Sequence, residues 1–202
     1  MSQFSRLSGD ASNVSFAVEY PFEALYEVDV LDRIQRNLGI SKVLRYPGAY
    51  PVHAQQELNN GPILAVTPNE GEPWIGVFGG SNYASRALTW PGGRSLCVMH
   101  GLDAVVVRTD APEEWYSVDW FTVQDAFAVP AFELVIFITH AGVAAYGENG
   151  RLWETRFAWD DIEILGVAGD HLLLRGFDQP DRGHADFSVD LRSGVSHDDP
   201  YG

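Results

Sequence analysis

Three leucines stand at an interval of 38 residues, and each opens a short apolar run. Leu96, Leu134 and Leu172 begin the runs Leu-Cys-Val-Met, Leu-Val-Ile-Phe and Leu-Leu-Leu. Turn-forming glycines and prolines stand just before these runs. An interval near 40 residues in a strand-rich sequence is typical of stacked antiparallel sheets. The spacing therefore favours a serial β architecture.

The sequence after residue 61 alternates short apolar runs with Gly, Pro and Asp, which predicts strands separated by turns. Asn149-Gly150 predicts a hairpin over 143–156 that is closed by a type I′ turn. Residues 134–138 are apolar on both faces, as in strands that are covered on both sides. The predicted strands are 16–20, 63–66, 74–78, 95–100, 104–108, 115–123, 133–140, 143–146, 152–156, 162–167, 171–175 and 185–191.

The first 61 residues have a different character. Leu31, Ile34 and Leu38 have helical spacing and Gly39 follows as a helix stop, which predicts a helix over 30–38. The alternation over residues 27–30 is also compatible with a strand, so the start of the helix is left open. We predict a tail, a short helix and a connecting loop over 1–61, and an all-β body with the 38-residue period over 62–202.

Tryptophans accompany the repeat. Trp120 precedes Val123 by three residues, and Trp159 precedes Ile162 by three. Over about residues 90–195, the order of tryptophan, turn and apolar strand resembles the blades of β-propeller proteins. An ordinary β-sandwich or barrel with coincidental spacing is the alternative. The predicted fold class is mainly β, with short antiparallel strands in blade-like or sandwich sheets and a small N-terminal helical appendage.

The charge balance is strongly acidic. The chain has 13 basic and 28 acidic residues and a net charge of −15. This argues against a nucleic-acid partner, because neutralising phosphates requires clustered Lys and Arg. Residues 101–202 carry a net charge of −13 and residues 1–100 only −2. The second half thus predicts either a well-solvated surface or an acidic face for a basic protein partner.

The sequence carries no sign of secretion or of a membrane span. Cys97 is the only cysteine, so no internal disulfide framework is possible. The first 15 residues lack the apolar core of a signal peptide, and the run 134–138 is too short to cross a bilayer. We expect a cytoplasmic protein with no membrane association, and the oligomeric state is left open.

Common catalytic motifs do not occur. The sequence has no nucleophile elbow, no phosphate-binding P-loop, no dinucleotide fingerprint and no zinc-binding H-E-x-x-H. Cys97 and His100 are three residues apart, so a strand would place them on opposite faces. We therefore expect Cys97 to be a buried apolar residue, and we predict no catalytic residue, metal or cofactor.

Two histidines and several aromatic residues are the candidates for a binding site. His100 and His140 follow the side-chain parity of Leu96 and Leu134, so they could converge on one pocket, or be separate strand-end histidines. The aromatic residues form two sequence clusters, which suit either core packing or a surface for a carbohydrate, a peptide or a partner protein. The candidate binding residues are His100, His140, Trp115, Tyr116, Trp120, Trp153 and Trp159.

These observations favour a non-catalytic binding or protein-interaction module. Two alternatives remain open from the sequence. One is an acidic inhibitor or immunity-type protein that occupies a basic partner. The other is a hydrolase with a pocket around His100 and His140. Fold analogy does not decide among them, since propellers and sandwiches host unrelated functions.

Overall fold

The protein is mainly β, as predicted. The computed structural model describes residues 16–34, 39–46, 61–79, 86–118, 123–139, 142–157, 160–178 and 183–197. Within these ranges, seventeen strands form four small sheets, and one 3₁₀ turn spans Pro130–Phe132. Several small antiparallel sheets are a form compatible with blade-like repeats.

The sheets are numbered here in the order in which they pack. Sheet 1 contains β2 Tyr26–Leu31, β3 Lys42–Tyr46, β4 Ile63–Pro68 and β5 Trp74–Phe78, in the order β2-β4-β5-β3. Sheet 2 contains β1 Ala17–Glu19, β6 Arg86–Thr89, β7 Ser95–His100, β8 Asp103–Arg108 and β9 Trp115–Ser117, in the order β1-β6-β7-β8-β9. Sheet 3 is the meander of β10 Val123–Val129, β11 Leu134–Thr139, β12 Gly142–Gly147 and β13 Gly150–Arg156. Sheet 4 is the meander of β14 Asp160–Ala168, β15 His171–Asp178, β16 Gly183–Asp190 and β17 Ser196–His197.

The predicted N-terminal helix is not seen. Val30 and Leu31 lie in strand β2, residues 32–34 are not helical, and residues 35–38 lie outside the described part of the chain. Strand β2 pairs with β4 along its whole length, so tertiary pairing decides against the local helical spacing. The first three strands all join sheets 1 and 2, because β1 pairs with β6 and β3 pairs with β5. Chain from both sides of residue 61 therefore builds the same sheets.

Two predictions of local structure need correction. The predicted strand over 115–123 is two strands, since β9 ends at Ser117 and β10 begins at Val123. The hairpin of β12 and β13 forms as expected, but Gly147 pairs with Gly150, so the turn residues are Glu148 and Asn149. Neither of them has a positive φ, and Gly150 carries the positive φ of 112° instead. The turn is therefore not of type I′, which needs a positive φ at both central residues, and the register shift of this hairpin lies between Ala145 and Tyr146.

The leucine interval locates the same strand in three successive sheets. Leu96, Leu134 and Leu172 lie at the start of β7, β11 and β15, each the second strand of its meander. Their side chains do not share a face, because Leu96 and Leu172 pack against the preceding sheet and Leu134 against the following one. The interval therefore identifies equivalent strands but not equivalent faces.

Three buried clusters join the sheets in series. One lies between sheets 1 and 2, one between sheets 2 and 3, and one between sheets 3 and 4. Within β7, Leu96 and Val98 face sheet 1, whereas Cys97 and Met99 face sheet 3. Sheets 2 and 3 are thus apolar on both faces, which explains their continuous hydrophobic strands.

One tryptophan in each of the first three sheets ties it to the next. The indole N–H of Trp74 donates to the carbonyl of Thr109 at 2.8 Å, just after β8. Trp90 likewise donates to Gly147 at 3.1 Å, at the end of β12. Trp153 donates at 2.8 Å to Leu191, just after β16. In each case the accepting carbonyl lies at, or just after, the end of the third strand in the meander of the next sheet.

A glycine allows the last of these contacts to form. Gly194 lies in the turn between β16 and β17 with φ of 73°. A Cβ atom there would come within 2.8 Å of the Trp153 ring. The Gly194 carbonyl also accepts a hydrogen bond from the hydroxyl of Thr155 in sheet 3. The turn of sheet 4 therefore lies directly on sheet 3.

Replacing Trp153 with Phe tests the indole tie. The variant keeps an aromatic ring but leaves the buried carbonyl of Leu191 without its donor, so we expect a loss of about 2 kcal/mol in unfolding free energy. Trp115→Phe is the control, because no described residue hydrogen-bonds the Trp115 indole and the substitution keeps a ring beside Tyr46, so we expect a loss of at most about 0.5 kcal/mol. Urea denaturation measures both. Equal effects of the two substitutions would contradict a structural role for the indole N–H.

Candidate functional site

A cleft of about 500 Å³ lies where the edge of sheet 2 meets the β12–β13 turn of sheet 3. Its volume falls within the rough 300–1,000 Å³ range of ligand sites. Strand β8 and strand β9 supply one wall, and the turns that precede β7 and β13 supply the other. We call it the edge groove, and its main lining residues are Arg94, Val106, Arg108, Glu114, Trp115, Tyr116, Glu148 and Asn149.

An ion network fixes the charged end of the edge groove. The Arg108 guanidinium donates to both carboxylate oxygens of Asp110, at 3.1 and 2.9 Å, and to Glu114 at 2.7 Å. The hydrogen bond from Arg108 holds the pKa of Asp110 below its usual range. The same two carboxylates raise the pKa of Arg108, so the network stays charged at neutral pH.

Tyr116 presents an aromatic face to the edge groove. Its side chain is 38% exposed and lies on the same side of sheet 2 as Val106. Burial raises the pKa of its hydroxyl, so Tyr116 is a neutral donor at physiological pH. No hydrogen-bond partner for that hydroxyl is found within the described ranges. Tyr116 therefore offers a ring face and an available donor to a ligand.

Glu148 brings a carboxylate to the opposite wall. It is exposed at the tip of the β12–β13 hairpin and lies over Gly92, a glycine with φ of 82°. A Cβ atom at residue 92 would come within 2.6 Å of the Glu148 side chain. In the described part of the chain, Glu148 has no ion-pair partner. Its charge is available to a ligand.

Trp115 lies beside the edge groove and faces sheet 1. It pairs with Val107, which packs toward sheet 1, and its ring meets Tyr46 edge to face at 5.8 Å. The Tyr46 hydroxyl donates at 2.9 Å to the carbonyl of Pro112 in the loop before β9. These contacts hold the loop and β9 in place while 39% of the Trp115 side chain stays exposed.

His100 is completely buried at the end of β7 and faces sheet 1, where its ring lies 6.5 Å from that of Phe78. Neither of its ring nitrogens has a hydrogen-bond partner among the described residues. Burial lowers the pKa of His100 to about 4. A ring in this position does not reach a substrate in solvent.

The parity argument for a pair of histidines does not hold. His140 lies outside the described residues. On β11, Leu134, Ile136 and Ile138 share the predicted parity of His140, and they face sheet 4. On β7, Leu96 and Val98 share the parity of His100, and they face sheet 1. The two sets therefore point away from one another across sheets 2 and 3.

The other candidates differ in their surroundings. Trp153 is only 8% exposed and packs with Phe157 between sheets 3 and 4, which matches the core-packing alternative. Trp120 and Trp159 lie outside the described ranges. Cys97 is fully buried, as expected, and burial raises the pKa of its thiol. Of the seven candidates, Trp115 and Tyr116 are brought together at one cleft.

Sequence reasoning missed the charged half of the edge groove. Arg94, Arg108, Glu114 and Glu148 come from three turns that are far apart in sequence. The position of these turns could have indicated the site. Each turn lies next to a strand, at the same end of neighbouring hairpins. The dense charge of residues 108–114 before an aromatic pair was a further indication.

Neither a scan against protein-family models nor a search of the curated proteins finds a match to this chain. In the described ranges, no cluster of three or more His, Cys, Asp or Glu side chains is arranged to hold a metal ion. The same residues include no helix that is long and apolar enough to span a bilayer. The site therefore has to be interpreted from its own chemistry.

Buried His100 predicts a specific pH dependence of stability. The unfolded chain protonates this histidine near pH 6.5, whereas the folded protein keeps it neutral down to about pH 4. The unfolded state binds the extra proton in that window, so stability falls as the pH drops through it, by about 3 kcal/mol in all. Urea denaturation of wild type and His100→Leu between these pH values measures the effect.

The His100→Leu variant should lack this component, while carboxylates that titrate at lower pH affect both proteins equally. His184→Leu, at an exposed position, is the matched control and should keep the wild-type slope. A wild-type slope in His100→Leu would show that His100 is not held neutral by burial.

Proposed function

We propose that this chain is a non-catalytic binding module that takes a segment of a partner protein into the edge groove. The observation that supports this most directly is the half-exposed Tyr116 ring in a 500 Å³ cleft, with its hydroxyl available. Tyrosine and arginine are enriched among the residues that dominate binding energy, and both types line this cleft.

The framework suits a binding role, because contacts within the protein position the groove-lining side chains and the loop beside them. Arg108 is fixed by its two carboxylate partners, and Tyr46 anchors the loop that precedes β9. A preformed surface loses less conformational entropy when it binds. Other polar groups that line the edge groove, those of Tyr116 and Glu148 among them, are available for recognition.

The second candidate function is an acidic inhibitor or immunity-type protein for a basic partner. The observation that favours it is the net charge of −13 on residues 101–202. A field of this sign would accelerate encounter with a basic protein and discriminate against acidic ones.

A peptide screen tests the proposed site. The intact protein is panned against a random peptide library displayed on phage, and enriched peptides are measured by fluorescence anisotropy. Tyr116→Ala should weaken binding at least about tenfold, since it removes a central aromatic contact. Tyr20→Ala is the matched control, because Tyr20 is 56% exposed and lies outside the groove. Wild-type affinity in Tyr116→Ala, or a library that yields no binder, would overturn the proposal.

The salt dependence measures how much of the affinity comes from charge, which the acidic inhibitor requires. For an acidic inhibitor, the affinity of the same enriched peptides should fall steeply between about 0.05 and 0.5 M salt, because screening shortens the Debye length from roughly 14 to 4 Å. Circular dichroism at both concentrations controls for unfolding. Affinities that change little with salt would argue against the inhibitor function and leave recognition by the groove.

A further inference from the structure

Strand β9 is the last strand of sheet 2 in the described residues, and its hydrogen bonds to β8 fix which way its backbone points. The Arg108 N–H donates to the carbonyl of Glu114 at 3.0 Å, and the Val118 N–H donates to that of Ala104 at 2.8 Å. Hydrogen-bonded and non-bonded pairs alternate in an antiparallel ladder. Tyr116, midway between these pairs, therefore directs its backbone groups toward β8.

The backbone groups of Trp115 and Ser117 consequently point away from the sheet. Their partners in the register, Val107 and Val105, are non-hydrogen-bonded pairs. Within the described ranges, the outward N–H and C=O groups of Trp115 and Ser117 have no hydrogen-bond partner. An open edge of this kind is a template for another extended chain.

The edge groove lies beside that open edge. A strand added to β9 would alternate its side chains between the Tyr116 face and the Trp115 face. On the Tyr116 face, a side chain would enter the groove between the aromatic ring and Glu148. A lysine or arginine there would stack on the ring and pair with the Glu148 carboxylate.

Charge also favours a basic segment. Arg108 is already satisfied by Asp110 and Glu114, and Lys42 by Glu113 at 2.7 Å. The net charge of the chain is −15, so its long-range field attracts cationic segments. The lining of the groove holds two arginines and two glutamates, so the preference for a cationic segment comes from the overall field and from Glu148.

We propose that the edge groove binds an extended, basic segment of a partner protein as an additional strand on β9. This inference rests on the proposed function and specifies its ligand. The outward backbone groups of Trp115 and Ser117 supply the ladder hydrogen bonds. Tyr116 and Glu148 select a Lys or Arg side chain at the residue that enters the groove.

Ser117→Pro tests the strand addition. Proline removes the outward N–H of Ser117 and obstructs the edge, yet it leaves the hydrogen bonds between β8 and β9 intact. Affinity for enriched peptides that contain Lys or Arg should fall at least about tenfold. Ser117→Thr keeps the N–H and should bind within about twofold of wild type.

The peptide provides an independent measurement. Backbone N-methylation at alternate peptide residues removes either the N–H groups that face β9 or those that face solvent. Methylation of the residues whose N–H groups face β9 should abolish binding, and methylation of the other set should leave it unchanged. This comparison uses wild-type protein, so it decides the question even if Ser117→Pro does not fold, as judged by circular dichroism and urea denaturation.

A pair of variants tests whether Glu148 selects a basic side chain of the peptide. Glu148→Gln should weaken binding of the basic peptides, whereas Glu72→Gln, at an exposed position in the β4–β5 turn, should not, although both change the net charge equally. Equal effects of the two would overturn the assignment of Glu148.

The outcomes separate this inference from the function on which it rests. Binding that is lost in Tyr116→Ala but unaffected by Ser117→Pro and by N-methylation of either set of peptide residues would retain the binding module and overturn strand addition. Enrichment of acidic or neutral peptides would overturn the basic partner. Peptides that bind independently of Tyr116, or specific binding of glycans on an array in place of peptides, would overturn both proposals.

Discussion

The structure depends on a buried hydrogen bond that recurs at each junction between sheets. An indole N–H from one sheet reaches a carbonyl at the end of the third meander strand of the next, in the cases of Trp74, Trp90 and Trp153. The indole covers a large apolar area, and its single donor is satisfied by a buried carbonyl at the end of a strand. The indole therefore both packs between two sheets and sets their relative position. It fixes where each sheet lies along its neighbour, whereas apolar contact alone would allow the sheets to slide.

This mode of packing restricts where function can be located. Sheets 2 and 3 are buried on both faces, so their side chains are committed to the core. Burial disfavours the charged form of a titratable residue on such a face, as the lowered pKa of His100 shows, and no described residue hydrogen-bonds its ring nitrogens. What remains for recognition is the outer edge of a sheet and the turns at strand ends. The edge groove combines these two, because β9 is an edge and Arg94 and Glu148 come from turns.

The local patterns in the sequence predicted the fold class and many of the strands, because alternating and doubly apolar runs reflect burial directly. Leu31 shows the limit of such patterns. It has helical spacing with Ile34 and Leu38, but it lies in β2 and pairs with Ile63, a partner distant in sequence. The leucine interval identified equivalent strands yet not equivalent faces, because Leu134 packs against the following sheet and the other two leucines against the preceding one. Tyr116 and Trp115 were predicted as candidate binding residues from their aromatic cluster, whereas Glu148 could not be, because its position depends on how two hairpins meet.

An open strand edge also carries a risk, and the charge of the chain limits it. Unpaired edges invite copies of a protein to associate, and short or charged edge strands are common protections. Strand β9 is only three residues long and is preceded by Glu113 and Glu114. Two copies of a chain with a net charge of −15 repel each other as the edges approach, whereas a cationic segment is attracted. The same acidity that keeps the edge from pairing with itself thus makes it selective for a basic strand.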